Sequence, residues 1–187
     1  MSLSVALADA NVLFPRTLRD YVVYSAKVGA FDVRWSQPIL DEVSRNLIKI
    51  FGLSAEDTAE LEIRLGEYLP QALVEVRPRD LKVVDKVDMD AKDRHVVAAA
   101  LSAKASILVT DNIRHFPKDW LAERGIELLT SADLLVLLAT DHPEKLKKAH
   151  VLTVAASPKT ESAILDTLRN QIGKGAADKV RAVVTAR

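Results

Sequence analysis

The sequence predicts an α/β protein: a parallel β-sheet flanked by helices in three layers, with a helical extension at the C-terminus. Three observations point there. Short runs of β-formers alternate with longer segments of helical period. The cleanest of the short runs, Ser106–Thr110, is continuous. The segment ahead of it, Val96–Ala103, is alanine-rich and apolar on most sides, as a helix buried against a sheet is. Strands alternating with helices imply right-handed crossovers and helices on both faces of the sheet.

The elements follow in order. Val5–Ala8 is a short apolar run ending at Asp9, with Asn11 and Pro15 behind it, and reads as a buried strand followed by loop. Thr17–Gly29 carries Leu18, Tyr21, Val22 and Ala26 at helical spacing, with Gly29 as a C-terminal cap. Asp32–Trp35 is a brief strand. Ser36 or Gln37, ahead of Pro38, opens a second helix whose stripe is Leu40, Val43, Leu47 and Ile50. Ser54 begins another, with Asp57 completing a capping box; Leu61, Leu65 and Tyr68 form its stripe and Pro70 closes it. Ala72–Val76 is extended. From Pro78 to Lys92 charge dominates without a helical period, and this stretch reads as loop. Ile126–Leu129 is a further strand, and Ser131 caps a helix through Ala139. Beyond Pro143 the pattern is helical, with a break at Ser157-Pro158 and a hinge at Gly173-Lys174-Gly175. Residues 1–140 thus form the sheet domain and 141–187 the helical extension.

Composition narrows the function classes. With 49% hydrophobic and 28% charged residues, a packed core is expected and wholesale disorder is not. There is no cysteine, which excludes disulfide scaffolds, thiolate zinc sites and cysteine nucleophiles. The first residues, MSLSVALADANVLF, lack a basic start and read as a strand, not a signal peptide. No apolar run approaches the ~20 residues of a membrane helix, so a cytoplasmic protein without a membrane partner is expected. Net charge is zero, yet residues 144–187 hold nine Lys/Arg against four Asp/Glu. An acidic body carries a basic tail, which either contacts nucleic acid or is a solvated helical face.

The chemistry lies in the acids. Ligands of a parallel α/β sheet gather at the carboxyl ends of the strands. Asp9 closes the first strand and Asp111 closes Ser106–Thr110, so both belong to one rim. Asp93 precedes the buried helix, and Glu42 lies in the first turns of the helix opened by Pro38. Helix N-termini favour anions and keep such carboxylates ionised. Four acids on one rim repel each other unless a cation joins them. Oxygen-only ligands select hard ions, Mg²⁺ or Mn²⁺, over zinc. Such an ion activates water against a phosphodiester without a general base. Taken singly, each acid reads as well as a turn, cap or first-turn residue; their joint placement is what counts.

The same residues resemble a known family. Ala8-Asp9-Ala10-Asn11-Val12-Leu13, Pro38-Ile39-Leu40-Asp41-Glu42-Val43, Asp90-Ala91-Lys92-Asp93-Arg94-His95-Val96 and Leu108-Val109-Thr110-Asp111-Asn112-Ile113-Arg114-His115-Phe116-Pro117 stand in the order of a PIN domain. The chain is similar to the VapC-type toxins of bacterial toxin–antitoxin pairs over roughly residues 3–135. The resemblance implies a PIN-like fold and a single-stranded RNA endonuclease that binds one or two Mg²⁺ or Mn²⁺ ions. It places Asp9, Glu42 and Asp93 on the three core acids. Thr110 falls on the family's threonine and Asn112 where many members carry a fourth acid. Here Asp111 lies one residue earlier, so either Asp111 or Asn112 completes the metal site. Asn11 is expected to orient Asp9, with Asp90 and Thr110 in support. Arg94, His95, Arg114 and His115 stand where they could meet substrate phosphate, and His115-Phe116-Pro117 reads as a loop anchor. The resemblance also implies a cognate antitoxin, which in this family plugs the acids with an arginine-bearing segment, and a homodimer. The alternative is a PIN-fold RNA- or protein-binding module weakened in catalysis by its altered fourth position. A haloacid-dehalogenase-type phosphatase needs a second acid where Asn11 stands. A receiver domain needs a suitably placed lysine, which is not found.

Overall fold

A computed structural model describes residues 4–186. Five strands and eleven helices alternate along it: β1 (Val5–Ala8), α1 (Ala10–Leu13), α2 (Arg16–Lys27), β2 (Asp32–Ser36), α3 (Gln37–Phe51), α4 (Ala55–Tyr68), β3 (Leu73–Val74), α5 (Pro78–Val84), α6 (Arg94–Ala103), β4 (Ile107–Val109), α7 (Lys118–Ala122), β5 (Glu127–Leu129), α8 (Ser131–Asp141), α9 (Pro143–Ala155), α10 (Glu161–Ile172) and α11 (Lys174–Val184). The sheet order is β3-β2-β1-β4-β5, and every neighbouring pair is parallel. The expected parallel sheet flanked by helices is the observed fold.

The order carries functional information. From β1 the chain builds outward through β2 to β3, then crosses back to the other side of β1 for β4 and β5. The reversal falls between β1 and β4, where a crevice opens beyond the carboxyl ends of the strands. Ala8 is in register with Val109, so Asp9 and Thr110 emerge side by side at that crevice.

The core explains why these short strands hold. Ala6, Leu7, Ala8, Leu108 and Val109 are at most 1% exposed, as central parallel strands covered on both faces must be. Val96 through Ala100 of α6 are equally buried; the small alanines let this helix approach β1 and β2 closely. Leu146, Ile164, Leu168, Ile172, Ala177 and Val180 of the last three helices belong to the same continuous core. The extension is therefore packed on the sheet domain. Its α9 lies along α2, where buried His150 accepts or donates at Nδ1 to Tyr21 Oη (2.5 Å) and at Nε2 to Glu161 (2.9 Å).

Several local expectations change. The chain after β1 is one helical turn, not loop, because Asp9 caps it by accepting from Ala10 N–H. Pro78–Val84 is a helix: Pro78 occupies its first turn, and Asp80 is tied to Arg77 and to Ser102 of α6. Thr130, not Ser131, caps α8, in a capping box with Asp133. In α3 the expected stripe member Ile50 is 59% exposed, and Ile39 is buried in its stead. The one-turn helix α7 and the two 3-10 turns, Ala91–Asp93 and Ile113–His115, have no counterpart in the sequence pattern. The capping box Ser54–Asp57, the break before Thr160 and the positive φ of Gly29 (77°) and Gly173 (79°) stand where the residue types required them.

Candidate functional site

Asp9 is the fixed point of the crevice. It is 6% exposed, and both carboxylate oxygens are engaged. Oδ1 accepts from Ala10 N–H at 2.7 Å, while Oδ2 accepts from the Thr110 hydroxyl at 2.7 Å and from the Asn11 amide at 2.8 Å. Thr110 Oγ1 in turn accepts from Asn11 Nδ2 and from Asn112 N–H, and Asn11 Oδ1 accepts from Asp111 N–H. Asn11 thus bridges the two strand ends, its amide donating to Asp9 and its carbonyl accepting from Asp111. The Asp9 carboxyl is held above the ordinary aspartate range. Burial is the main cause; the Thr110 and Ala10 hydrogen bonds oppose it, and the charges of Glu42 and Asp93 add to it.

Around Asp9 opens a cleft of about 660 Å³ lined by Asp9, Asn11, Asp41, Glu42, Asp93 and Asn112, with Arg45, Lys92 and His95 at its sides. Glu42 enters from the second turn of α3, placed there because Pro38 starts that helix directly after β2. Asp93 enters from the 3-10 turn that leads into α6. Three of the four acids singled out by the sequence therefore converge on one cleft. Asp111 does not line it. Its carboxylate accepts from Ser131 N–H and from the Ser131 hydroxyl, all at 2.8 Å, and so secures the start of α8. Asn112 occupies the cleft at the fourth position.

The sequence matches the family described as PIN domain over residues 5–114, more than half of the chain. The chain belongs to the PIN domain family. It is also similar to a protein of Mycobacterium tuberculosis (strain ATCC 25618 / H37Rv) described as "Putative ribonuclease VapC50", with 39% identity over 90 residues. That alignment covers 46% of this chain and 53% of the relative, so the chain spans about half the length of the curated protein it matches. No solved structure matches.

Within this PIN domain, the donor set suits a hard divalent cation. Carboxylates from Asp9, Glu42 and Asp93 and the side chain of Asn112 face one space, and no described basic side chain forms an ion pair with Asp9 or Glu42. Asp9 is buried with two more acids beside it, so a cation would add to the Thr110 and Ala10 hydrogen bonds in holding its carboxylate ionised.

The PIN domain's basic residues sort differently from expectation. Arg94 lies 3.9 Å from Asp85 and does not line the cleft. Arg114 lines a separate recess of about 310 Å³ with Asp88, Asp90, His115, Phe116 and Pro117. Asp90 caps the turn before Asp93 by accepting from Lys92 N–H, which holds its carboxyl below the usual range. The residues that do flank the acids are Arg45, Lys92 and His95. Arg45 was legible in principle, since it follows Glu42 by three residues and shares its helix face. His95 Nδ1 donates to Lys92 carbonyl at 2.8 Å, and its buried Nε2 has no protein partner.

A larger cavity, about 870 Å³, lies away from this chemistry between α2 and the α3–α4 hairpin, and is lined chiefly by Phe14, Val23, Tyr24, Leu47, Phe51 and Leu61. Among the described residues no helix is long and apolar enough to cross a membrane.

Proposed function

We propose that this chain is a divalent-metal-dependent endoribonuclease that hydrolyses phosphodiester bonds of single-stranded RNA, acting in the cytoplasm as the toxin of a type II toxin–antitoxin pair. The observation that carries the reading is the convergence of Asp9, Glu42, Asp93 and Asn112 on one cleft at the strand ends. Asp9, Glu42 and Asp93 are the charged ligands of Mg²⁺ or Mn²⁺, Asn112 supplies a neutral fourth contact, and Asp111 acts through the architecture of α8. A bound ion supplies charge neutralisation at the scissile phosphate and a water of lowered pKa. The chain's own part is to hold the ligands. Thr110 and Asn11 fix Asp9, and α3 and α6 deliver Glu42 and Asp93. Arg45 and Lys92 meet the flanking phosphates of the substrate in place of Arg94 and Arg114. The name of the Mycobacterium tuberculosis relative supports ribonuclease activity.

The expected partners, an antitoxin and a second copy of the chain, are supported by the apolar cavity beside Phe51, which is itself 61% exposed. Light scattering of the purified chain tests the homodimer directly.

One observation favours a second reading. Asn112 replaces an acid while Asp111 is bound to Ser131, which leaves three charged ligands and fits a PIN-fold binding module weakened in catalysis. One experiment separates the two. A labelled single-stranded RNA is incubated with the full chain in Mg²⁺, in Mn²⁺ and in EDTA, alongside Asp9→Asn and Asp93→Asn. Metal-dependent cleavage lost in both variants supports the nuclease. Metal-dependent RNA binding with no cleavage supports the module.

A further inference from the structure

At one edge of the cleft stands a second group of donor atoms. Asp90, Asp93 and His115 each offer one ligand atom, and these atoms all lie within 4.8 Å of one another. Asp93 lines the cleft and Asp90 and His115 line the neighbouring recess, so the group lies between the two openings. Two 3-10 turns bring it together, Ala91–Asp93 ahead of α6 and Ile113–His115 after β4.

The His115–Asp93 pair is spaced as two ligands of one ion are. His115 Nδ1 lies 3.3 Å from Asp93 Oδ2. A charge-assisted N–H···O bond is shorter, about 2.7–2.9 Å. Two donors bound at about 2.1 Å to one ion, at tetrahedral or octahedral angles, lie about 3.0–3.4 Å apart. Lys92 Nζ, 3.4 Å from Asp90 Oδ2, is the cation that now balances this group. Its side chain is 65% exposed, so this is a solvent-exposed pair of little strength. The recess of about 310 Å³ gives an ion its path of entry, and leaves room for water to fill the remaining coordination positions.

We infer that Asp90, Asp93 and His115 form a second metal site, for a borderline divalent transition ion of the Zn²⁺ class, sharing only Asp93 with the cleft. The imidazole decides the class: nitrogen ligands favour such ions, and Mg²⁺ takes oxygen. Occupancy ties up one Asp93 oxygen, so the ion fixes how Asp93 is presented to the cleft. The inference stands apart from the nuclease reading, because it concerns binding and not cleavage.

The test is Zn²⁺ titration calorimetry of the full chain in excess Mg²⁺, which occupies oxygen-only sites. One Zn²⁺ per chain is expected, with affinity reduced about tenfold or more in His115→Gln and in Asp90→Asn, and retained in Glu42→Gln, which alters the cleft alone. Asp90 is exposed, so its variant tests the site even if His115→Gln fails to fold. Zn²⁺ binding unchanged in Asp90→Asn, or no Zn²⁺ binding above the Mg²⁺ background, overturns the site. Zn²⁺ binding lost in Glu42→Gln assigns the ion to the cleft and overturns it equally. None of these outcomes bears on RNA cleavage, which is read separately.

Discussion

The Thr110 hydroxyl donates to Asp9 Oδ2 at 2.7 Å, joining the ends of two adjacent strands through a buried, charge-assisted bond. Thr110 is fully buried, and its oxygen also accepts from Asn112 N–H at 3.2 Å, so one side chain sets both the first and the fourth positions of the cleft. Thr110→Val keeps the shape and removes both roles. Divalent-cation affinity is expected to fall about 10–100-fold, as for other partners of metal-binding carboxylates. Calorimetric titration with Mn²⁺ checks it; affinity within a factor of two of the native chain contradicts the assigned role.

Asp111 and Asn112 are expected to separate cleanly. Asp111→Ala removes the acceptor of Ser131 N–H and Oγ and should cost about 1–3 kcal/mol of stability, read by denaturant unfolding. RNA cleavage per folded molecule should stay close to native. Asn112→Asp adds a fourth carboxylate to the cleft and should tighten Mn²⁺ binding. If Asp111→Ala abolishes cleavage in a protein that remains folded, the fourth contact has been misplaced.

Asp9 sets a pH dependence whose sign depends on the metal. Its folded carboxyl is raised above the ordinary value, chiefly by burial. In the metal-free chain this group's stabilising contribution is therefore complete below the unfolded value of about 3.9. It is lost as pH rises through the raised folded value. A metal ligand must be ionised, so the cation's contribution runs the other way and grows with pH. Melting temperatures with EDTA and with Mn²⁺ should diverge as pH rises from about 4 towards 7. Parallel curves across that window would exclude Asp9 as a ligand.

The extension should not be separable. Tyr21→Phe leaves buried His150 without its Nδ1 partner and is expected to cost about 1–3 kcal/mol. Deleting residues 142–187 uncovers the α2 face and the core positions now filled by Leu146 and Leu168. That truncated chain should be insoluble or bind a hydrophobic dye strongly. A monomeric, cooperatively melting 1–141 fragment would show that the sheet domain stands alone.

What the sequence made legible follows the range of the forces involved. Val5–Ala8 and Ile107–Val109 were readable because a strand buried between helices must be apolar throughout. The capping box at Ser54 and the helix start at Pro38 are local chemistry, and both stand as read. The helix Pro78–Val84 was hidden because its stabilising partner, Ser102, is supplied from another helix. The same reason hid the fate of Asp111. Its placement after β4 spoke for the rim, but Ser131, twenty residues on, claimed its side chain. Lys92 lies in a charged stretch with no period to mark which of its residues face a cleft, whereas Arg45 shares the helix face of Glu42.

The sheet order has a consequence for the timing of synthesis. Asp9 is synthesised well before its hydroxyl donor, which lies 101 positions downstream. With β4 inserted beside β1, the central pairing of the sheet cannot close until the chain has grown past Asn112. A nascent chain therefore carries Asp9 and Thr110 apart until β4 has been made, and the acid cleft is completed only then. On the proposed nuclease reading the centre stays incomplete during synthesis, and that delay is built into the strand order itself.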